Sequence, residues 1–271
     1  MNANRNRTLL QETFDAVSDG YDNAALRFFP ASAKHLVSRL PLQGSEKVLD
    51  VAAGTGHTAL ALAARLPLGR VTAVDFSAGM LKLAREKADR MNVRNVEFIE
   101  RDMRNLGLPE ASFDAAVCAF GIFFVEDMDA QLAHIAAAVK PGGTVAICNF
   151  QESYLSPMKE LLIRRLGAYG VQPPLQTWKR IAHEAGCREL FAGAGLGSVH
   201  VEPKNMGYFL EDERQWWDIV WNAGYRRLVG QLAPAERERF RQEHLDEVAA
   251  LAAPEGIWLD VGVLFTTGVK P

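Results

Sequence analysis

Residues 47–59, KVLDVAAGTGHTA, combine a carboxylate, Asp50, with Gly54 and Gly56, two glycines one residue apart. Val48, Leu49 and Val51 form a short apolar run and an alanine-rich helical rhythm follows the glycines, so the stretch reads as strand, glycine turn and helix. Glycine opens backbone angles closed to other residues and lets a ligand approach the main chain. The helix that follows aims its unpaired N–H groups and positive dipole end at the same place. Such a turn holds a small polar or charged molecule. Two further carboxylates close strand-like runs downstream: Asp75 ends RVTAVD and Asp102 follows VEFIER. From a strand end, Asp75 can accept from the two hydroxyls of a ribose and Asp102 from an exocyclic amine, or either acid can cap the helix that follows it.

Two ligand classes use a turn of this kind. Gly54, Gly56 and Ala59 fit the dinucleotide pattern G-x-G-x-x-G/A, and Asp75 lies twenty-one residues beyond Gly54, where that pattern places its ribose-binding acid. Asp50 argues the other way. A carboxylate just before the glycines would repel a pyrophosphate but suits a ligand carrying an ammonium or sulfonium charge.

These residues sit in a chain of 271 residues with net charge −3 and 23% charged side chains, an ordinary globular composition without the basic surplus of a nucleic-acid binder. Apolar segments are interrupted by charges or glycine before the roughly 20 residues of a membrane span are reached. The first residues, MNANRNRTLLQETFD, lack the apolar centre of a signal peptide. The three cysteines form no C-x-x-C pair, which argues against a disulfide scaffold or a cysteine-based zinc site. The expected compartment is the cytoplasm, and no metal is expected.

The elements that position the acids alternate between strand and helix. Strands are expected over 47–51, 70–74, 95–100, 113–119 and 143–149, with helices over 57–66, 78–91 and 129–139. This alternation predicts an α/β, doubly wound parallel sheet, in which ligands bind beyond the carboxyl ends of the strands. Residues 8–40 read as two or three helices around a loop carrying Tyr21, Leu26, Phe28 and Phe29. Beyond Phe150, helices are expected over 157–169, over 175–186 with a stop at Gly186, over the tryptophan-rich stretch 211–232, and over 234–252. Strands are expected over 194–203 and 257–268. Residues 1–271 are expected to form one domain, divided into an N-terminal helical lid (1–45), a ligand-binding core (46–150), and a region of substrate-side helices with the last two strands (151–271).

The motifs together resemble a class I S-adenosylmethionine-dependent methyltransferase, and within that superfamily the group containing the ubiquinone- and menaquinone-biosynthesis enzymes. The resemblance rests on YD at 21–22, VLDVAAGTG at 48–56, VTAVDFSAGML at 71–81, RDM at 101–103, FDAAVCAFG at 113–121 and KPGG at 140–143. It implies a Rossmann-like, mostly parallel seven-stranded sheet with an antiparallel last strand and helical insertions before strands six and seven. It also implies S-adenosyl-L-methionine as cofactor. Asp50, Ala52, Gly54 and Gly56 would hold its methionine end, Asp75 its ribose, Phe76 and Met80 would flank its adenine, and Asp102 and the Met103 amide would read the adenine edge. Ala119 would offer a carbonyl to its amino group, and Tyr21 would reach its carboxylate. Ala52 stands where the wider family often has glycine, and its small side chain is expected to fit.

The expected activity is methyl transfer to a small aromatic or apolar acceptor, on O, N or C, by in-line displacement. Phe28, Phe120, Phe123, Phe124, Trp217 and Trp221 are the candidate pocket, though core packing accounts for at least half of them equally well. None of the six histidines is assigned as a base. An NAD(P)-dependent oxidoreductase, disfavoured by Asp50 and Asp102, and a nonenzymatic S-adenosylmethionine-binding protein are the alternatives. The oligomeric state is left open, a homodimer among the options.

Overall fold

The computed structural model describes residues 3–173 and 176–271, so the first residue of the expected helix 175–186 lies outside the described residues. In chain order, α1 (Ala3–Val17) and α2 (Phe28–Ser38) lead into β1 (Lys47–Val51), α3 (His57–Arg65), β2 (Arg70–Asp75), α4 (Ala78–Arg90), β3 (Val96–Glu100), β4 (Phe113–Ala119), α5 (Met128–Ala138) and β5 (Val139–Phe150). Then come α6 (Met158–Ala168), α7 (Glu184–Gly193), β6 (Gly197–Asn205), β7 (Tyr208–Leu210), α8 (Glu213–Asn222), α9 (Arg226–Val229), α10 (Pro234–Ala249), β8 (Ile257–Leu259) and β9 (Gly262–Val269).

These elements group into two compact units, one of Phe29–Glu152, Thr177–Lys204 and Val263–Pro271, the other of Met1–Phe28, Ser153–Gln176 and Asn205–Gly262. The first contains a seven-stranded sheet in the order β3-β2-β1-β4-β5-β9-β6. β1 pairs in parallel with both β2 and β4, β4 pairs in parallel with β5, and β9 runs antiparallel to β5. The strand order reverses between β1 and β4, which makes their carboxyl ends the switch point where open sheets bind ligands. β1 is buried along nearly its whole length, as a central parallel strand covered on both faces must be. Below the switch point the core is sealed by Leu49, Val51, Val74, Leu132, Ile135 and Phe191.

Three expected elements differ from the structure. The run 257–268 is broken at Asp260, whose side chain accepts from Gly262 N at 3.1 Å and Asn205 Nδ2 at 2.8 Å, while its carbonyl accepts from Leu155 N at 2.7 Å. Only β9 joins the large sheet; β8 pairs with β7 in a separate two-stranded sheet. Gly186 does not stop a helix. It lies inside α7, after a 3₁₀ turn over Thr177–Ile181, and a Cβ there would fall 1.9 Å from the Arg180 carbonyl, so this glycine permits a close backbone approach. The expected helix over 211–232 divides at Ala223, whose extended backbone ends α8 before α9 begins.

The second unit is organised around α6, α8 and α10. His244 of α10 is fully buried, and its Nε2 accepts from the Trp216 indole N–H at 2.8 Å. That bond puts the imidazole proton on Nδ1 and requires a neutral ring. Burial lowers its pKa to about 4, against the pull of Glu247, which Arg165 holds ionised at a pKa of about 2. A histidine depressed in the folded state stabilises the fold fully above its ordinary pKa of 6.5 and loses that contribution as pH falls toward 4. The expected loss over this window is about 3 kcal/mol, at roughly 1.4 kcal/mol per pKa unit. His244→Gln, which keeps an acceptor for the indole, is expected to show a flatter profile of urea-unfolding stability between pH 6.5 and 4. Parallel profiles for the two proteins would refute the assignment.

Candidate functional site

The tips of β1, β2 and β3 are tied together through main-chain hydrogen bonds. After β1, the chain turns with Ala52, Gly54 and Gly56 at φ values of 58°, 54° and 84°. Ala53 N donates to the Val74 carbonyl at 3.0 Å, and Gly54 N donates to Asp75 Oδ2 at 2.8 Å. The other Asp75 oxygen accepts from Ser77 N at 2.9 Å, and Ser77 Oγ caps α4 by accepting from Met80 N. Arg101 N in turn donates to the Asp75 carbonyl at 2.7 Å, bringing the end of β3 alongside. Asp75 is thus a bracket for the glycine turn.

The two glycines differ in what their missing side chains leave. A Cβ on Gly56 would fall 2.9 Å from Ala84 Cβ, so this glycine lets α3 pack against α4. A Cβ on Gly54 would meet nothing within 4 Å: the turn opens there onto space, the form of a ligand cradle.

Asp50 lies under the turn. Its side chain is fully buried, and neither oxygen makes a hydrogen bond among the described residues. Burial, followed by the neighbouring Asp75, raises its pKa well above the ordinary carboxylate value, with the Ala59 amide pulling weakly the other way. Burial, followed by the Asp50 and Asp75 carboxylates, pushes the Cys118 thiol up to about 12, so that cysteine is inert. Asp50 presents no accessible surface.

Asp102 begins a 3₁₀ turn over Met103–Asn105. Its Oδ1 accepts from Arg104 N at 2.9 Å, and the Arg104 guanidinium lies across both oxygens, with Nη2 to Oδ2 at 2.7 Å. α5 grips this turn from behind. Gln131 Nε2 donates to the Met103 carbonyl at 2.8 Å, and His134 Nε2 accepts from Leu106 N at 3.2 Å. Arg104, Gln131 and His134 were not singled out by motif. Gln131 and His134 are the two polar residues of the run AQLAHIAAAV, the hint that sequence offered.

Of the other expected ligand residues, Phe76 and Ala119 are half-buried at the ends of β2 and β4. Met80 is different: at 1% exposure it is packed in the interior, in the first turn of the helix that lies on β2 and β3, and presents no surface to a ligand. Tyr21 belongs to the other unit, edge-on to Phe14 at 6.4 Å between ring centres.

The aromatic candidates divide into two groups. Phe120, Phe123 and Phe124 lie in the unit of the glycine turn and form a row with two residues the motifs did not flag, Phe29 and Phe150. Phe29 meets Phe120 edge-on at 5.3 Å, Phe120 stacks on Phe150 at 4.5 Å, and Phe123 and Phe124 continue the row. Trp217 and Trp221 lie in the other unit, stacked at 6.3 Å, with the Arg226 and Arg237 guanidinium groups over the Trp221 ring. Phe28 is also in that unit and buried, its ring taken up by the core.

The histidines do structural work wherever their bonds are defined. His134 holds Leu106, His244 holds Trp216, and His35 sits between Glu202 at 3.1 Å and Lys204 at 3.3 Å.

Comparison with known proteins adds a family signature to this geometry. Residues 48–143 match the family described as a methyltransferase domain. The demethylmenaquinone methyltransferase of Corynebacterium kroppenstedtii is 32% identical over 225 residues, covering 79% of this chain and 85% of that protein. That of Listeria welshimeri is 31% identical over 157 residues, or 56% of this chain; the match spans 66% of the relative's length, just under two thirds. Among solved structures, an S-adenosylmethionine-dependent methyltransferase of Thermotoga maritima superposes with a TM-score of 0.58 at 18% identity, covering 96% of this chain and 99% of that one.

The alanine in the turn generates a test. Ala52 holds φ 58°, a left-handed conformation that costs a residue with a Cβ roughly 1–2 kcal/mol. Its methyl is tolerated because Gly121 faces it: a Cβ on Gly121 would fall 2.6 Å from that of Ala52. Ala52→Gly is expected to change stability by less than about 1 kcal/mol, since relief of strain is offset by the greater freedom of glycine in the unfolded chain. Ala52→Val, branched at Cβ, is expected to cost about 2 kcal/mol or more. Urea unfolding at neutral pH measures both, and equal stability of the two variants would refute the argument.

Proposed function

Because the chain belongs to the class I S-adenosylmethionine-dependent methyltransferases related to the quinone-biosynthesis enzymes, we propose that it moves the methyl group of S-adenosylmethionine to a small aromatic or apolar acceptor by in-line displacement. The observation that carries this reading is Asp50, a buried carboxylate without a hydrogen-bond partner, under a turn that opens onto space at Gly54. A negative charge in that position favours a cation above the turn and disfavours a pyrophosphate. This is the feature that separates a sulfonium nucleotide from NAD(P) when the glycine spacing alone does not.

In this reading Asp75 and the main chain of Ala52, Gly54 and Gly56 hold the ribose and methionine parts, the Ala119 carbonyl receives the amino group, and Asp102 and the Met103 amide read the adenine edge, with Phe76 beside it. When bound, the cofactor supplies a methyl group already activated on sulfur. The protein then has to align an acceptor and keep water out, and alignment alone lowers barriers by roughly 7–11 kcal/mol. No histidine is required as base, in keeping with the structural bonds of His35, His134 and His244. For the acceptor, the row Phe29–Phe120–Phe150–Phe123 offers a surface for a flat apolar ring, and demethylmenaquinone, which names the relatives' activity, contains one.

Two measurements test the proposal. Calorimetric titration is expected to give binding heat with S-adenosylhomocysteine and none with NADPH; the reverse would overturn it. Asp50→Asn is expected to weaken S-adenosylmethionine binding about tenfold, the scale of one hydrogen bond or field interaction with a charge. The sign for stability is opposite. A carboxyl whose folded pKa is raised costs the fold stability as pH climbs above the ordinary value of 3.8, so the ligand-free variant should be more stable than wild type at pH 7, with the difference vanishing near pH 4. Methyl transfer screened over quinols, phenols and amines is expected with ring acceptors, and transfer confined to proteins or nucleic acids would refute the acceptor assignment.

A further inference from the structure

A single peptide unit connects Gln131 to Asp102. The peptide between Met103 and Arg104 gives its carbonyl to Gln131 Nε2 at 2.8 Å and its N–H to Asp102 Oδ1 at 2.9 Å. Gln131 is 4% exposed, so its amide donates in a setting where water does not compete and where aligned hydrogen bonds reinforce one another through the peptide dipole. Rotation of that peptide would break both bonds at once, and Asp102 would lose the N–H that fixes its first oxygen. The far end of the turn is fastened by the same helix one turn on, where His134 accepts from Leu106 N. Arg104 also grips Asp102, but its side chain is 40% exposed, and an exposed ion pair orients a carboxylate weakly.

We propose that Gln131 is a positioning residue for nucleobase recognition: through the Met103–Arg104 peptide it sets the direction of the Asp102 carboxylate and so the preference for a purine bearing a 6-amino group. The inference rests on the reading that Asp102 receives the adenine amine. A 6-oxo purine presents an acceptor to the same carboxylate and is rejected as two acceptors repel. That rejection depends on a carboxylate held in one orientation. A mobile Asp102 swings aside and admits either base.

The experiment measures affinity for S-adenosylhomocysteine and for S-inosylhomocysteine in the full-length chain, together with the thermal midpoint of each variant. Gln131→Leu keeps the volume and removes the donor. It is expected to weaken S-adenosylhomocysteine binding and to shrink the adenine preference, each between about threefold and tenfold, the range one neutral hydrogen bond supplies. Gln131→Glu adds a readout that packing alone would not move. Ionised, it repels the Met103 carbonyl; protonated, it donates to it, so adenine preference should recover as pH is lowered. Asp102→Asn is the control for the underlying reading. If it abolishes the preference while Gln131→Leu leaves the preference intact, or lowers both affinities equally, the positioning role is overturned and the adenine assignment stands. If Asp102→Asn leaves the preference unchanged, the adenine assignment itself fails and the inference falls with it.

Discussion

A carboxylate enclosed beside another carboxylate is the constraint from which the rest of the site follows. Asp50 is fully buried and unbonded, and Asp75 next to it has its oxygens on Gly54 N and Ser77 N. Leaving a charge in such surroundings is unfavourable, and burial with Asp75 nearby raises the Asp50 pKa well above the ordinary value. Nothing in the packing requires an acid at this position, where an apolar residue would be stabilising in the ligand-free chain. Under the proposed function, the acid answers a positive charge on the bound cofactor. On that proposal, stability and cofactor affinity make opposite demands on one side chain, a common condition at functional sites.

The main chain around Asp50 meets the same demand by geometry. Gly54 keeps space open above the turn, Gly56 brings α3 close to α4, and Gly121 after β4 makes room for the Ala52 methyl. Three residues in succession on alternate positions, Ala52, Gly54 and Gly56, hold left-handed backbones, and the bonds from Ala53 and Gly54 to the end of β2 keep them there. Strain at Ala52 is maintained because the sheet on either side over-determines the path of the chain.

Much of this was legible in sequence because it is local. Apolar runs of strand length, glycines at fixed spacing and acids at strand ends repeat in step, and β1 to β4 fall where the pattern puts them, while β5 begins at Val139, ahead of the expected 143–149. What escaped is long-range. That Gly186 serves a close approach to Arg180 rather than a helix stop, and that Asp260 breaks an apolar run by binding Asn205 and Gly262, depends on partners the local pattern does not contain. The aromatic residues show the same limit. Phe120 and Trp217 look alike as pocket candidates in sequence, yet one joins a row of phenylalanines at the carboxyl ends of β4 and β5, while the other joins Trp221 and a set of arginines in a different unit. Met80 carries the right spacing for an adenine contact, but the rotation of α4 turns it into the core.

The placement of α5 explains how a short turn after β3 is held in one direction. Residues 102–106 follow β3 with no helix to stiffen them beyond a single 3₁₀ turn, and a segment so short retains freedom unless something outside it removes that freedom. α5 supplies two fasteners at i and i+3, an amide donor at Gln131 and an imidazole acceptor at His134, on the face it turns toward Met103 and Leu106. Because a donor meets a carbonyl and an acceptor meets an N–H, the pair fixes the turn in one orientation, and its mirror arrangement would leave both bonds unmade. The helix that seals the core with Leu132 and Ile135 is thus also the element that gives the turn at 102–106 its direction. Core packing and the fastening of this turn are carried by neighbouring residues of one helix, so a shift of α5 large enough to relax the core would also disturb the turn that carries Asp102.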